Sequence, residues 1–244
     1  MDRTHEGSTV VVTGAAGNLG RAVARAFEQR GANVALIGHR REALVAAFGG
    51  ESDARLFAVA DLLDASQVDA ATHAVLERFG RIDVLCNIAG GFRAGAAVHE
   101  SSDAEWDYLF AVNVRTLLNA VRSAVPAMIA GGRGSIVNVG AHAALKGVAG
   151  MGAYCAAKSA VLRVTEAMAA ELRGRRITVN CVLPTILDTP ENRTAMPDAD
   201  PAGWVAPEDC AKVFVFLASE YGRPINGAAI PVSGSRAEQI LGAA

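Results

Sequence analysis

The chain has 244 residues, of which 51% are hydrophobic and 20% charged, and its 23 Lys+Arg against 25 Asp+Glu give a formal net charge of −2. That composition can bury a large core, and it excludes a disordered segment or a basic tail. A balance so near neutral, with a pI of about 6.2, leaves no electrostatic footprint for nucleic acid.

Residues 1–8 are polar, and the first apolar run is too short for a signal peptide or a membrane span, so a cytoplasmic protein away from the membrane is expected. A first strand at 9–13 leads into Thr13-Gly14-Ala15-Ala16-Gly17-Asn18-Leu19-Gly20, which opens a helix at 18–30. Glycines let the backbone approach a pyrophosphate, and the free N–H groups of a helix start favour its charge. An ordinary tight turn would also use glycine, but the place between strand and helix favours the phosphate-binding reading. The second strand, 33–37, ends in Gly38-His39-Arg40-Arg41. Dinucleotide-binding folds put a carboxylate there for the ribose 2′-hydroxyl of NAD. His39 and Arg40 suit the 2′-phosphate of NADP instead, making NADP the preferred cofactor and NAD the alternative. The other reading of the arginines is a solvated start to the next helix, at 41–48.

A strand at 55–60, a helix at 65–79 and a strand at 82–87 follow. Ser102 and Glu105 have capping-box spacing, and Trp106, Leu109, Phe110 and Leu117 recur at helical intervals, predicting one helix over 102–130 with Asn113 on its apolar stripe. Beyond a strand at 134–139, a helix at 152–173 carries Tyr154 and Lys158 four apart, which places phenol and ammonium on one face. A nearby cation would lower the phenol's pKa and suit it to proton transfer. Taken alone, such a pair also fits a surface contact. A strand at 177–183, a helix at 207–219 and a strand at 228–232 complete the pattern, leaving long connections at 90–101 and 184–207. Loops of that length in compact domains are commonly functional.

Each strand is too continuously apolar to have one face in water, and strands alternate with helices throughout, which predicts a parallel sheet covered on both sides. Right-handed crossovers make it doubly wound. Cys86, Cys155, Cys181 and Cys210 are widely separated and lack metal-ligand spacing, so reduced core thiols and no metal site are expected.

Taken in order, these motifs resemble the short-chain dehydrogenase/reductase family over essentially the whole chain. The resemblance implies an α/β fold: a single-domain Rossmann-type sheet of about seven strands spanning 1–244, with a substrate loop near 184–207. It assigns the pyrophosphate to Gly14, Gly17, Asn18, Leu19 and Gly20, and the adenine pocket to Asp61 and Leu62. It also matches Asn87-Ile88-Ala89-Gly90 to the family's Asn-Asn-Ala-Gly, and places Pro184, Leu187 and Thr189 at the cofactor. By the same resemblance Tyr154 is the general acid/base, Lys158 holds the nicotinamide ribose and lowers the Tyr154 pKa, and Asn113 positions a relay water. Relatives of this kind pair their long helices as dimers or tetramers, so a homo-oligomer acting on a small molecule is expected.

Three positions depart from the pattern. Asn18 replaces the middle glycine of the loop, a substitution expected to be tolerated because asparagine enters left-handed conformations readily. Thr185 follows Pro184 where glycine is usual. Ala141 stands 13 residues before Tyr154, where the family has its catalytic serine. The quinonoid dihydropteridine reductase branch is similar to this chain in these departures, and most specifically in Leu183-Pro184-x-x-Leu187-Asp188-Thr189-Pro190-x-Asn192-Arg193. That similarity implies hydride transfer to a small conjugated acceptor without the serine. The alternatives are a general carbonyl reductase or alcohol dehydrogenase, and a catalytically silent nucleotide-binding sensor.

Overall fold

Runs of valine, isoleucine and leucine form the strands. In the computed structural model, which describes residues 4–234, these are β1 (Thr9–Thr13), β2 (Asn33–Gly38), β3 (Arg55–Val59), β4 (Val84–Asn87), β5 (Gly134–Val139), β6 (Ile177–Pro184) and β7 (Ala229–Val232). They make one parallel sheet in the order β3-β2-β1-β4-β5-β6-β7. The order reverses between β1 and β4, and the crevice at such a reversal, outside the carboxyl ends of the strands, is where open α/β sheets bind ligands.

Burial on both faces is visible within single strands. In β1, Val10 and Val12 pack with helices α1 (Asn18–Glu28), α2 (Arg41–Phe48) and α8 (Pro207–Ala218), while Val11 packs into the opposite layer. That layer holds α3 (Ala65–Phe79), α5 (Thr116–Ala130) and α6 (Gly152–Leu172). The edges differ from the expectation of uniformly buried strands. β7 alternates between exposed and half-buried positions, and Val59 at the end of β3 is exposed, because an edge strand has no neighbour on one side.

Helix starts follow capping chemistry. Asp64 accepts from the Ser66 and Gln67 amides ahead of α3, and Ser102 Oγ accepts from the Glu105 amide ahead of α4 (Asp103–Phe110). Two expectations need correction. The segment 102–130 is not one helix: α4 passes through a π-helical turn, Ala111–Arg115, into α5. The apolar period alone does not reveal that inserted residue. The connection 184–207 is not structureless either, since Thr189 Oγ1 accepts from the Asn192 amide and opens α7 (Pro190–Ala195). Leu187 also pairs with Val205 in an isolated bridge, which fixes both ends of the segment.

Candidate active site

Backbone forms the first wall of the site. Gly14 has φ +64°, and a Cβ there would lie 2.9 Å from Ala89 Cα; a Cβ on Gly20 would lie 2.3 Å from the Gly14 carbonyl oxygen. Neither position has room for a side chain. Gly17 caps α1 without a side-chain hydrogen bond, so the first amides of the helix are left for a ligand. Asn18 is the first residue of α1, and the one non-glycine with positive φ among the described residues is Arg176. The left-handed tolerance expected of Asn18 is therefore not what admits it. Its side chain turns outward, where Nδ2 donates to Glu191 Oε2 at 2.6 Å.

A cleft of about 490 Å³ opens here. Of the residues expected at a cofactor, Gly14, Gly17, Asn18, Leu19, Gly20, His39, Asp61, Leu62, Ala89, Gly90, Leu187 and Thr189 line it. Arg40, Asn87, Pro184, Tyr154 and Lys158 do not. Arg40 sits at the N-cap of α2. Asn87 is buried and donates through Nδ2 to Asn138 Oδ1 at 2.9 Å, a tie between β4 and β5, while its own Oδ1 has no partner. Ile88, within the Asn87-Ile88-Ala89-Gly90 motif, also lines the cleft, as do Leu63, Val112 and Thr116, which the sequence reading does not single out. The spacing of Val112 and Thr116, on either side of Asn113, was the available signal.

Behind Gly90 stand Asn113 and Lys158. A Cβ on Gly90 would lie 2.7 Å from Asn113 Oδ1 and 3.4 Å from Lys158 Nζ. Asn113 donates to the Gly91 and Leu109 carbonyls, both at 3.0 Å, and accepts from the Gly91 amide at 3.2 Å. Its side-chain donors are spent on the Gly91 carbonyl of the loop after β4 and the Leu109 carbonyl of α4, so the amide ties that loop to the helix.

Lys158 is buried, and its Nζ donates to the Val139 carbonyl at 2.9 Å. Ser159 Oγ donates to the Ala144 carbonyl at 2.8 Å, a second tie between α6 and the segment following β5. Desolvation pulls the Lys158 pKa down to about 8. Tyr154, one turn earlier, goes the other way: burial pushes its phenol up to about 12. The expected lowering by Lys158 is absent, because the ammonium is aimed at Val139. The Tyr154 ring meets Phe92 edge to face at 4.9 Å, and Phe92 is 60% exposed. No periodic signal marks Phe92, which lies in a loop. Ala141, just past β5, is buried and presents only a methyl group.

The second wall carries the α7 segment. Asn192 Nδ2 donates to the Leu187 carbonyl at 2.8 Å, and Arg193 pairs with both oxygens of Asp188 at 2.6 and 2.8 Å. These contacts hold Leu187 and Thr189 against the cleft. A turn that excludes side chains, an uncapped helix start and a concave wall of apolar residues together fit a dinucleotide with its pyrophosphate at Gly14–Gly20.

Residues 8–200 match the family model described as short chain dehydrogenase. D-threitol dehydrogenase of Mycolicibacterium smegmatis is 36% identical over 241 residues, covering 94% of this chain and 92% of that protein. Meso-2,3-butanediol dehydrogenase of Serratia marcescens is 35% identical, covering 94% of each. The crystal structure of 3-ketoacyl-(acyl-carrier-protein) reductase from Brucella melitensis complexed with NADH superimposes with a TM-score of 0.86 at 30% identity, covering 95% of this chain and 98% of that one. The chain belongs to the short-chain dehydrogenase/reductase family of NAD(P)-dependent oxidoreductases.

Proposed function

We propose that the chain is an NADPH-preferring reductase of a small conjugated acceptor, of which a quinonoid dihydropterin is the model, with Tyr154 as the proton donor. The observation that carries this reading is the buried methyl of Ala141 in the position of the family serine. A hydroxyl that polarises a carbonyl contributes several kcal/mol in the transition state, on the order of 3 kcal/mol per donor. An acceptor that is already electron-poor has less need of that donor, and chiefly needs a proton and a hydride delivered together.

Bound in the cleft, the nicotinamide dinucleotide supplies the hydride. The residues around it divide the remaining work. The backbone of Gly14, Gly17, Asn18, Leu19 and Gly20 holds the pyrophosphate, Asp61 and Leu62 the adenine, Ala89 and Gly90 the floor, and Leu187 and Thr189 the far wall. A phenol with its pKa raised to about 12 remains protonated at neutral pH, the form required to donate in the reductive direction. Lys158, within 3.4 Å of a Cβ placed on Gly90, brings a positive charge to the floor of the cleft. Phe92 offers an exposed ring beside Tyr154 against which a planar acceptor can stack.

A second reading is oxidation of a vicinal diol or reduction of a ketone. The relatives named for D-threitol and meso-2,3-butanediol, each aligned over 94% of this chain, support it. Stopped-flow absorbance separates the two. Freshly generated quinonoid 6-methyl-dihydropterin is expected to oxidise bound NADPH in a single turnover that Tyr154→Phe abolishes without loss of cofactor affinity. Turnover of meso-2,3-butanediol with NADP⁺ and none with the pterin would establish the second reading. Tight dinucleotide binding with no turnover of either would leave the silent sensor.

A further inference from the structure

The loop between β4 and α4 is pinned at three points. Gly91 exchanges hydrogen bonds with Asn113, its amide donating at 3.2 Å and its carbonyl accepting at 3.0 Å. The Gly95 amide donates to the Gly150 carbonyl at 2.8 Å. Val98 packs so close to the start of α6 that a Cβ on Gly152 would lie 2.6 Å from its Cγ2. Between the first two pins stand Phe92 and Arg93, both exposed. Phe92 rests against the Tyr154 ring, as described above. The Arg93 guanidinium carbon lies 3.7 Å from the centre of the Tyr108 ring, a separation that lays the group against the ring face. Tyr108 and Tyr154 pack in one cluster around Leu109, Ala153 and Ala157, so neighbouring rings support neighbouring residues of the loop.

A guanidinium carries its N–H donors in its plane, so stacking occupies the face and leaves the donor edge open. Arg41, Arg55, Arg81 and Arg193 each have a carboxylate partner. Arg93 has none among the described residues, and Glu100, further along the same loop, faces His99 at 3.7 Å.

We propose that Arg93 recognises the acceptor, and that the acceptor is an anion: a small planar molecule bearing a carboxylate. The inference rests on the reading of Phe92 as the surface against which the acceptor stacks. A guanidinium edge matches the two oxygens of a carboxylate with paired, charge-assisted bonds. Stacking on Tyr108 holds that edge in place before a ligand arrives, which lowers the entropy cost of binding. A neutral acceptor of the same shape would leave the cation without a counter-charge, so the loop discriminates by charge as well as by shape.

The test uses two planar probes of nearly equal shape that accept no hydride, 2-naphthoate and its neutral amide, titrated calorimetrically into the protein saturated with NADP⁺. The wild-type protein is expected to bind the carboxylate about tenfold more tightly than the amide, an advantage that shrinks as salt is raised. Arg93→Gln should abolish the advantage while leaving the affinities for the amide and for NADP⁺ unchanged. Arg93→Lys should keep only part of it, because the charge remains and the fork is lost. Phe92→Ala should weaken both probes by the same factor and preserve their ratio. Equal affinity of the wild-type protein for the two probes would overturn the inference, as would an advantage that persists in Arg93→Gln, or failure of both probes to bind. Quinonoid 6-methyl-dihydropterin, which carries no carboxylate, separates this inference from the reading of the acceptor. If it fails to oxidise bound NADPH while the naphthoate advantage depends on Arg93, the pterin reading falls and the role of Arg93 stands. Turnover of the pterin with equal affinity for the two probes removes the role of Arg93 alone.

Discussion

Around β1 and β4 the site is made of backbone: Gly14 and Gly20 pack against main-chain atoms, and the contact offered to a ligand is a set of amides at the start of α1. Around β5 and β6 it is made of side chains: the methyl of Ala141, the Tyr154 ring against Phe92, Lys158 bonded to the Val139 carbonyl, and the Asp188–Arg193 pair. A wall of backbone admits very few residues, so its sequence is restricted and readable as a motif. A wall of side chains can exchange one group for another while keeping its shape, as the methyl of Ala141 demonstrates. On the proposed reading, the first region holds the dinucleotide and the second faces the acceptor.

The most severe way to break this contrast is to fill the backbone wall. Gly20→Val would put carbon atoms within 2.3 Å of the Gly14 carbonyl, which belongs to a rigid turn and cannot move aside cheaply. Dinucleotide affinity is expected to fall by more than about a hundredfold, and the melting temperature by several degrees. Calorimetric titration and thermal unfolding would measure both. Near wild-type affinity would mean that the turn is not the pyrophosphate site.

In the side-chain wall the corresponding change is mild. Ala141→Ser adds a hydroxyl at a position only 7% exposed, and such a group with no assured partner costs about 1–3 kcal/mol. Reduction of a simple ketone such as 2,3-butanedione is expected to rise by about a hundredfold, the value of one oxyanion donor. Steady-state rates with NADPH would check this. An unchanged ketone rate would mean that the missing hydroxyl does not explain the acceptor preference, and would separate the site from the rest of its family.

The same contrast explains what could be read from the sequence. Seven strands and their parallel arrangement are legible because hydrophobic period reflects backbone constraints, and twelve of the residues expected at a cofactor line one cleft. Asn87 stands outside the cleft lining and donates to Asn138, a tie between strands that no one-dimensional pattern reveals. The π-helical turn at Ala111–Arg115 keeps the apolar stripe nearly in phase, so it hides within an apparently continuous helix. The spacing of Tyr154 and Lys158 reports proximity along α6 but not the direction of Nζ, which donates to the Val139 carbonyl, so burial is the largest influence on the phenol.

Lys158 gives a test of that buried charge. Its folded-state pKa, about 8, lies below the ordinary value of 10.5, so between those limits the unfolded chain holds more protons and stability rises with pH. Below pH 8 the whole penalty of burying the ammonium is present. Lys158→Met is expected to raise the melting temperature of the unliganded protein at pH 7 by about 5 °C. The gap should close as pH approaches 10.5, while stabilisation by added NADPH is lost. A lower melting temperature at pH 7 would show that the bond to Val139 outweighs desolvation.

The smallest effect is expected where the two walls touch. Asn18 lies in the backbone wall and Glu191 in α7, and the 2.6 Å bond between them spans the rim of the cleft. The Glu191 carboxyl is held below the usual range by its own backbone amide first and then by the Asn18 side chain, so the contact survives well into mildly acidic solution. Because the pair is exposed, it adds little to stability, and its influence should appear in the rate at which a dinucleotide leaves. A double-mutant cycle with Asn18→Ala and Glu191→Ala, read as the NADPH dissociation rate by stopped-flow fluorescence, isolates that term. Each single variant is expected to speed release by about two- to threefold, and the double variant by no more than either, because both remove the same bond. Multiplicative effects would show that the walls act independently, with α7 held at the cleft only by its own contacts through Leu187, Asp188 and Arg193.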